Sequence, residues 1–223
     1  MPIATPTLVG QTIAQLHDDA LRANPSLPAA HPSEALLSND PLRYWLCANH
    51  HFNSSLWAEE DLARRTQVSD SEIARNKRAI DGFNQARNDA IERMDEILLT
   101  GLGWITAQAA RSDAPTSHPP AGARLNSETA GSIIDRMSIM ALKIHAMHAQ
   151  TLRTDVDDAH RASCTTRLAR LTEQRTDLGA CFDALMADAR AGRAYFKVYR
   201  QFKMYNDARM NPALVAERTR AAN

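Results

Sequence analysis

Lysine, valine and cysteine are scarce in this chain of 223 residues, and a net charge is missing altogether. The 26 basic and 26 acidic residues cancel, so no global field draws the molecule to a polyanion, a membrane surface or a strongly charged substrate. No nucleic-acid partner is expected. Five valines against 38 alanines leave little material for strands and much for helices. The three cysteines, Cys47, Cys164 and Cys181, are far apart and form no CxxC pair. That argues against a disulfide framework or a structural zinc site and fits a reducing compartment, so the cytoplasm is the expected location. Long hydrophobic runs are also lacking. The most apolar window, 97–110, is shorter than the roughly 20 residues a membrane-spanning helix needs, and Gly101, Gly103 and Gln108 interrupt it. No membrane span is expected. Residues 1–20 show no basic stretch leading into an apolar one, and Asp18 and Asp19 stand where a secretory leader has small residues, so secretion by that route is not expected. No internal repeat with a period of about 20–50 residues is present.

Helix-forming sequence is what remains. The length suits one buried core, since single cores run to about 100–200 residues. Proline and glycine mark two joints, one at 24–41 with Pro25, Pro28, Pro32 and Pro41, the other at 111–126 with Pro115, Pro119, Pro120 and Gly122. Around them the spacing of apolar residues predicts helices near 9–23, 42–66, 70–99, 127–152 and 158–191. Gly192 then stops the chain ahead of a last amphipathic helix over 193–206. No segment alternates with period two for long enough to read as a strand. The expected class is all-α, a single-domain bundle of about five to seven helices. A short N-terminal helix and Pro-rich connection would occupy 1–40, the main helical domain 41–212 with its Pro-rich loop at 111–126, and a tail 213–223. The last helix would carry Tyr195, Val198, Tyr199, Phe202 and Tyr205 on one face, ringed by Arg193, Lys197, Arg200 and Lys203. It reads as a docking helix, with Tyr195, Tyr199 and Phe202 as candidate contacts for a protein partner.

The two helices between 42 and 99 carry a polar stripe beside the apolar one. At about 100° per residue, the first puts Trp45, Phe52, Leu56 and Ala63 on one stripe, and His50, Asn53, Trp57, Glu60, Asp61 and Arg64 on its neighbour. The second repeats the arrangement, with Lys77, Asp81, Asn84, Gln85, Asn88, Glu92 and Asp95 beside Ile73, Ile80, Phe83, Ile91, Met94 and Leu98. Two readings stay open. The polar groups form an internal network joining the helices, or they face each other across a cleft and offer donors, acceptors and an indole ring to a ligand. Burying so many polar groups without a partner would be costly, which favours the cleft. A sharper version concerns metal: Glu60, with Glu92 and Asp95 at ExxD spacing, would offer carboxylate oxygens to Mg²⁺. This clustering is similar to that of the all-α nucleoside triphosphate pyrophosphatases.

The helix near 127–152 is apolar on most sides and reads as central, with Asn126 or Ser127 as its N-cap. Its first N–H groups, near Gly131 and Ser132 with Arg124 close in sequence, would suit an anion. Asp135, Arg136 and Lys143 are anomalies there, because a buried charge is normally paired. They are expected to meet the carboxylates of the polar stripes or a ligand anion.

Four stretches are familiar together: Asn53-Ser-Ser-Leu-Trp-Ala-Glu-Glu-Asp-Leu-Ala-Arg64, Lys77-Arg-Ala-Ile-Asp-Gly-Phe-Asn-Gln-Ala-Arg-Asn-Asp-Ala-Ile-Glu92, Arg124-Leu-Asn-Ser-Glu-Thr-Ala-Gly-Ser-Ile-Ile-Asp-Arg136, and Tyr199-Arg-Gln-Phe-Lys-Met-Tyr-Asn-Asp207 with Asn211-Pro212. In this order they resemble the bacterial domain-of-unknown-function family 4254, over about 40–212. The resemblance implies an all-α fold and draws attention to Trp57, Glu60, Asp61, Arg64, Lys77, Asp81, Asn84, Asn88, Asp135 and Lys143. It brings no established activity, and it implies a loose link to genes for surface-glycan glycosyltransferases.

The leading expectation is a small anionic metabolite, a sugar nucleotide or phosphorylated sugar, in a polar cleft. Arg64, Lys77, Arg124 and Lys143 would meet phosphate, Asn53, Asn84 and Asn88 would orient hydroxyls or a base edge, and Trp57 would stack. Asp135 would belong to the same binding set. Glu60, Asp61 and Asp81 are the candidate general bases if the protein is an enzyme. The alternatives are a non-catalytic assembly module and an Mg²⁺-dependent nucleotide hydrolase built on Glu60, Glu92 and Asp95.

Overall fold

The structure is a computed structural model, which describes residues 8–202 and 207–221. Five long helices carry the fold: α1 (Gly10–Ala23), α3 (Pro41–Ala63), α4 (Asp70–Gly101), α6 (Ala130–Thr151) and α7 (Asp158–Arg190). Three shorter ones, α2 (Glu34–Asn39), α5 (Ala107–Ala110) and α8 (Pro212–Ala221), join them, with a minimal sheet of β1 (Arg124–Leu125) and β2 (Ala194–Tyr195). The protein is all-α in class, as its composition predicts.

Local chemistry sets the helix starts. Asp40 accepts the N–H of Arg43 at 3.0 Å and Pro41 occupies the first turn of α3, where its missing N–H costs nothing. Ser69 and Glu72 form a reciprocal capping box at the head of α4. Asp157 accepts the N–H of His160 at 2.7 Å and starts α7. The N-cap of α6 is Thr129, which takes the Ser132 N–H at 3.1 Å, in place of the expected Asn126 or Ser127. Asn126 instead donates to the Glu128 carbonyl at 2.6 Å.

Short connections at 64–69 and 152–157 fold α3 on α4 and α6 on α7 as two helical hairpins, and α6 touches α1, α3, α4 and α7. α6 is therefore the central helix, and its Ile133, Ile134 and Met137 meet Leu46 of α3, Leu98 and Leu99 of α4, and Phe182 and Leu185 of α7 in the core. Fully burying such aliphatic and aromatic side chains stabilises the fold by about 1.5–3 kcal/mol each.

Across 193–202, the described part of the segment predicted as a helix over 193–206, there is no helix. Gly192 turns the chain at φ +70°, and β2 follows at Ala194–Tyr195. Arg124 donates its N–H to the Arg193 carbonyl at 2.8 Å and Asn126 donates to the Tyr195 carbonyl at 2.7 Å, which pairs β2 with β1 in parallel. Ala194, Phe196 and Val198 point inward while Lys197 and Tyr199 point out. That is a strand's period of two. The expected aromatic face is consequently divided: Tyr195 packs against the core, Tyr199 and Phe202 are exposed, and Lys203 and Tyr205 lie outside the described residues.

Candidate functional site

Asp135 lies buried on α6, and two asparagines of α3 approach it instead of a cation. Asn49 and Asn53 each donate from Nδ2 to its Oδ1 at 2.9 Å. Asn53 Nδ2 also lies 3.2 Å from Asn49 Oδ1 and 3.1 Å from Ser138 Oγ, and His50 Nδ1 meets that hydroxyl at 2.8 Å. The α3 stripe thus begins as an internal network, in which side-chain amides meet the buried charge. The expected meeting of Asp135, Arg136 and Lys143 with stripe carboxylates does not occur. Arg136 pairs with Glu128 at 2.5 Å near the surface, and Lys143 is exposed.

One to three turns further along α3 the same stripe opens into a cleft. Its volume is about 340 Å³, and it is lined by Asn53, Leu56, Trp57, Glu60, Asp61 and Arg64 from α3, Asn84 and Arg87 from α4, and Ile139 and Leu142 from α6. Six predicted site residues therefore converge: Asn53, Trp57, Glu60, Asp61, Arg64 and Asn84. Arg64 is held by Glu60 at 3.3 Å and Asp61 at 3.9 Å, and these pairs are well exposed. Such pairs are worth about 0–1 kcal/mol, so a ligand can displace them. Arg87 differs. Its Nε is buried and meets no acceptor, and the guanidinium makes no ion pair with the described residues. Sequence reading passed over Arg87, although it follows Asn84 by three residues and so lies on the same stretch of helix surface.

The remaining candidates fall elsewhere. Lys77 and Asp81 pair with each other on the exposed side of α4 and do not line the cleft. Asn88 is half-buried beyond it. Arg124 sits on β1 and donates to Asn126 Oδ1 at 3.1 Å. Lys143 lines a separate depression of about 670 Å³ between α6 and α7, with Arg136, Glu128, Asp177 and Cys181.

The metal set does not assemble. Glu60 lies in the cleft, whereas Glu92 accepts from Arg200 Nη1 at 2.7 Å and from the Gln201 N–H at 2.9 Å. Asp95 is fully enclosed and accepts the Gly131 N–H at 2.7 Å. Burial pushes its carboxyl up to about 7, against the opposing hydrogen bonds of Thr129 and Gly131. Among the described residues no group of three or more His, Cys, Asp or Glu side chains is placed to hold a metal ion. The expected anion site at the head of α6 is filled as well, because the Asp95 carboxyl group already takes the Gly131 N–H there.

The fold and cleft together define an all-α helical-bundle protein with a small polar cavity between three of its helices. The chain belongs to the family described as "Protein of unknown function (DUF4254)", whose profile matches residues 43–198. That span takes in all but the first two residues of α3, the whole of α4, α6 and α7, and every residue lining the cleft. A search of curated proteins and of solved structures finds no match. Among the described residues no helix is long and apolar enough to cross a membrane.

Proposed function

We propose that this chain is a cytoplasmic protein that binds a small anionic metabolite, a sugar nucleotide or a phosphorylated sugar, in the cleft between α3, α4 and α6. Arg87 carries the reading. A guanidinium whose Nε is desolvated and unpaired gains more from a phosphate than one already neutralised, because the cost of removing it from water has been met by folding. Trp57 offers a ring face for a base or sugar, and Asn84 offers an amide beside it. Both Asn53 amide hydrogens are engaged inward, which leaves Oδ1 as its acceptor for a ligand hydroxyl. Glu60 and Asp61 are the residues nearest to hand for a general base should a reaction take place there. The connection to surface-glycan assembly rests on the family resemblance.

The test is calorimetric titration and thermal shift with UDP-glucose, GDP-mannose and glucose 1-phosphate. A ligand at a hundred times its Kd adds about 2.7 kcal/mol, which moves the Tm of a domain this size by about 5–10 °C. Arg87→Ala and Trp57→Ala should fold and lose that shift. No shift with any of the three compounds, or an undiminished shift in Arg87→Ala, overturns the reading. A protein partner is the second reading, drawn from the exposure of Tyr199 and Phe202 at 47% and 77%. Co-purification of a stoichiometric partner, lost in Phe202→Ser, would favour it.

A further inference from the structure

The N-terminal half of α3 borders a second cavity, unrelated to the cleft in its chemistry. Its volume is about 270 Å³, and its walls come from α1, from α3 and from residues 24–36. Small side chains leave the space: Ala20 and Ala23 of α1 and Ala29 and Ala30 of the connection line it, together with Leu46 and Pro32. The connecting segment is fixed in place, since Ala29 donates its N–H to Ser54 Oγ at 2.8 Å and its carbonyl meets His51 Nδ1 at 2.6 Å.

Asn24 and three histidines break the apolar character; Asn24 and His31 are exposed, and the other two histidines are not. His17 and His50 are 0% and 1% exposed and both line the cavity. Their rings stack at 4.6 Å with 26° between planes. Imidazole N–H groups and lone pairs lie in the ring plane, so stacked rings cannot serve one another as hydrogen-bond partners. Both nitrogens of His17 and Nε2 of His50 are buried with no partner. The tautomer of His50 follows from its neighbour. Ser138 Oγ receives Asn53 Nδ2 at 3.1 Å, and His50 Nδ1, at 2.8 Å, is the acceptor available to its hydroxyl hydrogen. Nδ1 then accepts, and Nε2 carries the proton as an unpartnered donor. An unmet buried polar group destabilises by about 1–3 kcal/mol, and here three such atoms belong to two residues that line one cavity.

We infer that this cavity is a second ligand site, for a compact, uncharged, largely apolar molecule whose one polar oxygen meets His50 Nε2 and the edge of His17. An engineered apolar cavity of about 150 Å³ takes benzene, so a substituted six-membered ring fits here. A charged ligand is disfavoured because no aspartate, glutamate, lysine or arginine lines the cavity to pair with it. Burial holds both imidazoles well below their ordinary range, His50 at about 4, and so keeps them neutral donors and acceptors at physiological pH. Cys47 stays a neutral thiol in the same wall, its ionisation opposed by burial.

The test uses phenol and toluene, which have the same outline and differ by a hydroxyl for a methyl. Long-range ¹H–¹⁵N spectra of protein labelled at histidine report the imidazole nitrogens directly. Phenol should shift the His17 and His50 signals saturably and bind about tenfold tighter than toluene. Ala20→Leu, which fills the cavity, should abolish the effect, and His50→Phe should bring the two affinities together. Absence of a saturable phenol shift in the wild-type protein, or toluene binding as tightly as phenol, overturns the inference whether or not the variants fold.

Discussion

Asp95 and Gly131 meet where α4 crosses the head of α6: the carboxylate takes the glycine's N–H at 2.7 Å, and a methyl group on Gly131 would stand 2.7 Å from the Ile91 carbonyl oxygen and 2.9 Å from Asp95 Oδ1. The carbonyl belongs to helix backbone and cannot step aside cheaply, so Gly131→Ala should separate the two helices. Overpacking of this kind costs about 1–3 kcal/mol, and the lost hydrogen bond adds to it. Urea unfolding should register a loss of about 2–4 kcal/mol. A loss below about 1 kcal/mol would mean that the crossing is not held by this contact.

A second close crossing is asymmetric. A Cβ on Gly10 of α1 would stand 2.5 Å from the Gly179 Cα of α7, whereas a Cβ on Gly179 would have 3.5 Å to the nearest Gly10 atom. The first is an overlap of backbones, and the second is ordinary contact. Gly179→Ala should therefore be neutral or slightly stabilising, because alanine is the better helix former by about 1 kcal/mol. Gly10→Ala should destabilise by about 1–3 kcal/mol. Equal effects in thermal or urea unfolding would refute this packing of α1 on α7.

Two buried groups titrate in opposite senses over the same pH range. His50 has its folded value depressed from 6.5 to about 4, so the unfolded chain takes up this proton first as the medium is acidified. Its contribution is intact above about pH 6.5 and is lost as pH falls toward 4. Asp95 is raised from 3.8 to about 7, so its contribution is intact below about pH 3.8 and is lost as pH rises toward 7. One proton corresponds to about 1.4 kcal/mol per pH unit. Between pH 4.5 and 6, Asp95→Asn should make the slope of stability against pH more positive than wild type by about that amount. His50→Asn, which can retain the Ser138 contact, should make the slope more negative by the same amount. Equilibrium unfolding at several pH values measures both, and parallel curves for the three proteins would contradict these environments.

Much of this fold is legible because its determinants are local. Asp40-Pro41, Ser69 with Glu72, and Asp157 mark helix starts through contacts no more than three residues away. The apolar girdle of 130–151 identifies the central helix for a similar reason, since few side chains there suit water. The cleft is half legible. Asn53, Trp57, Glu60, Asp61, Arg64 and Asn84 share it because helical periodicity determines which side each residue faces. Periodicity does not say how far along a stripe the partner helix extends, so it groups Lys77 and Asp81 with Asn84 although they are exposed on α4. The spacing of Glu92 and Asp95 suggests a metal ligand because nothing within their own helix reveals that a glycine N–H stands opposite Asp95. The stretch after Gly192 misleads for a different reason. Tyr195, Tyr199 and Phe202 fall at helical spacing, yet Ala194, Phe196 and Val198 alternate, and pairing with distant Arg124 and Leu125 decides in favour of the strand.

Arg200 shows how the extended segment after β2 is secured to the helices. Its Nη1 reaches Glu92 at 2.7 Å and Glu96 at 2.6 Å, and its Nη2 donates to the carbonyls of Ala110 and Ser112 at 2.6 and 2.9 Å. The Glu96 side chain is only 4% exposed, so this carboxylate depends on its cations. Removing one partner of a buried ion pair costs about 3–5 kcal/mol. Arg93 at 2.7 Å and Arg111 at 3.7 Å also pair with Glu96, which limits the damage. Arg200→Ala should accordingly lose about 2–4 kcal/mol, and Arg200→Lys should recover only part of it, since an ammonium cannot reproduce the planar fork that serves two carboxylates and two carbonyls together. Adding Glu96→Gln to Arg200→Ala should restore part of the stability lost in Arg200→Ala alone, because the buried carboxylate that has lost one of its cations is then neutral. A double-mutant cycle by urea unfolding gives the coupling directly, and a value near zero would show that Arg200 stabilises the segment through its carbonyl contacts and not through charge.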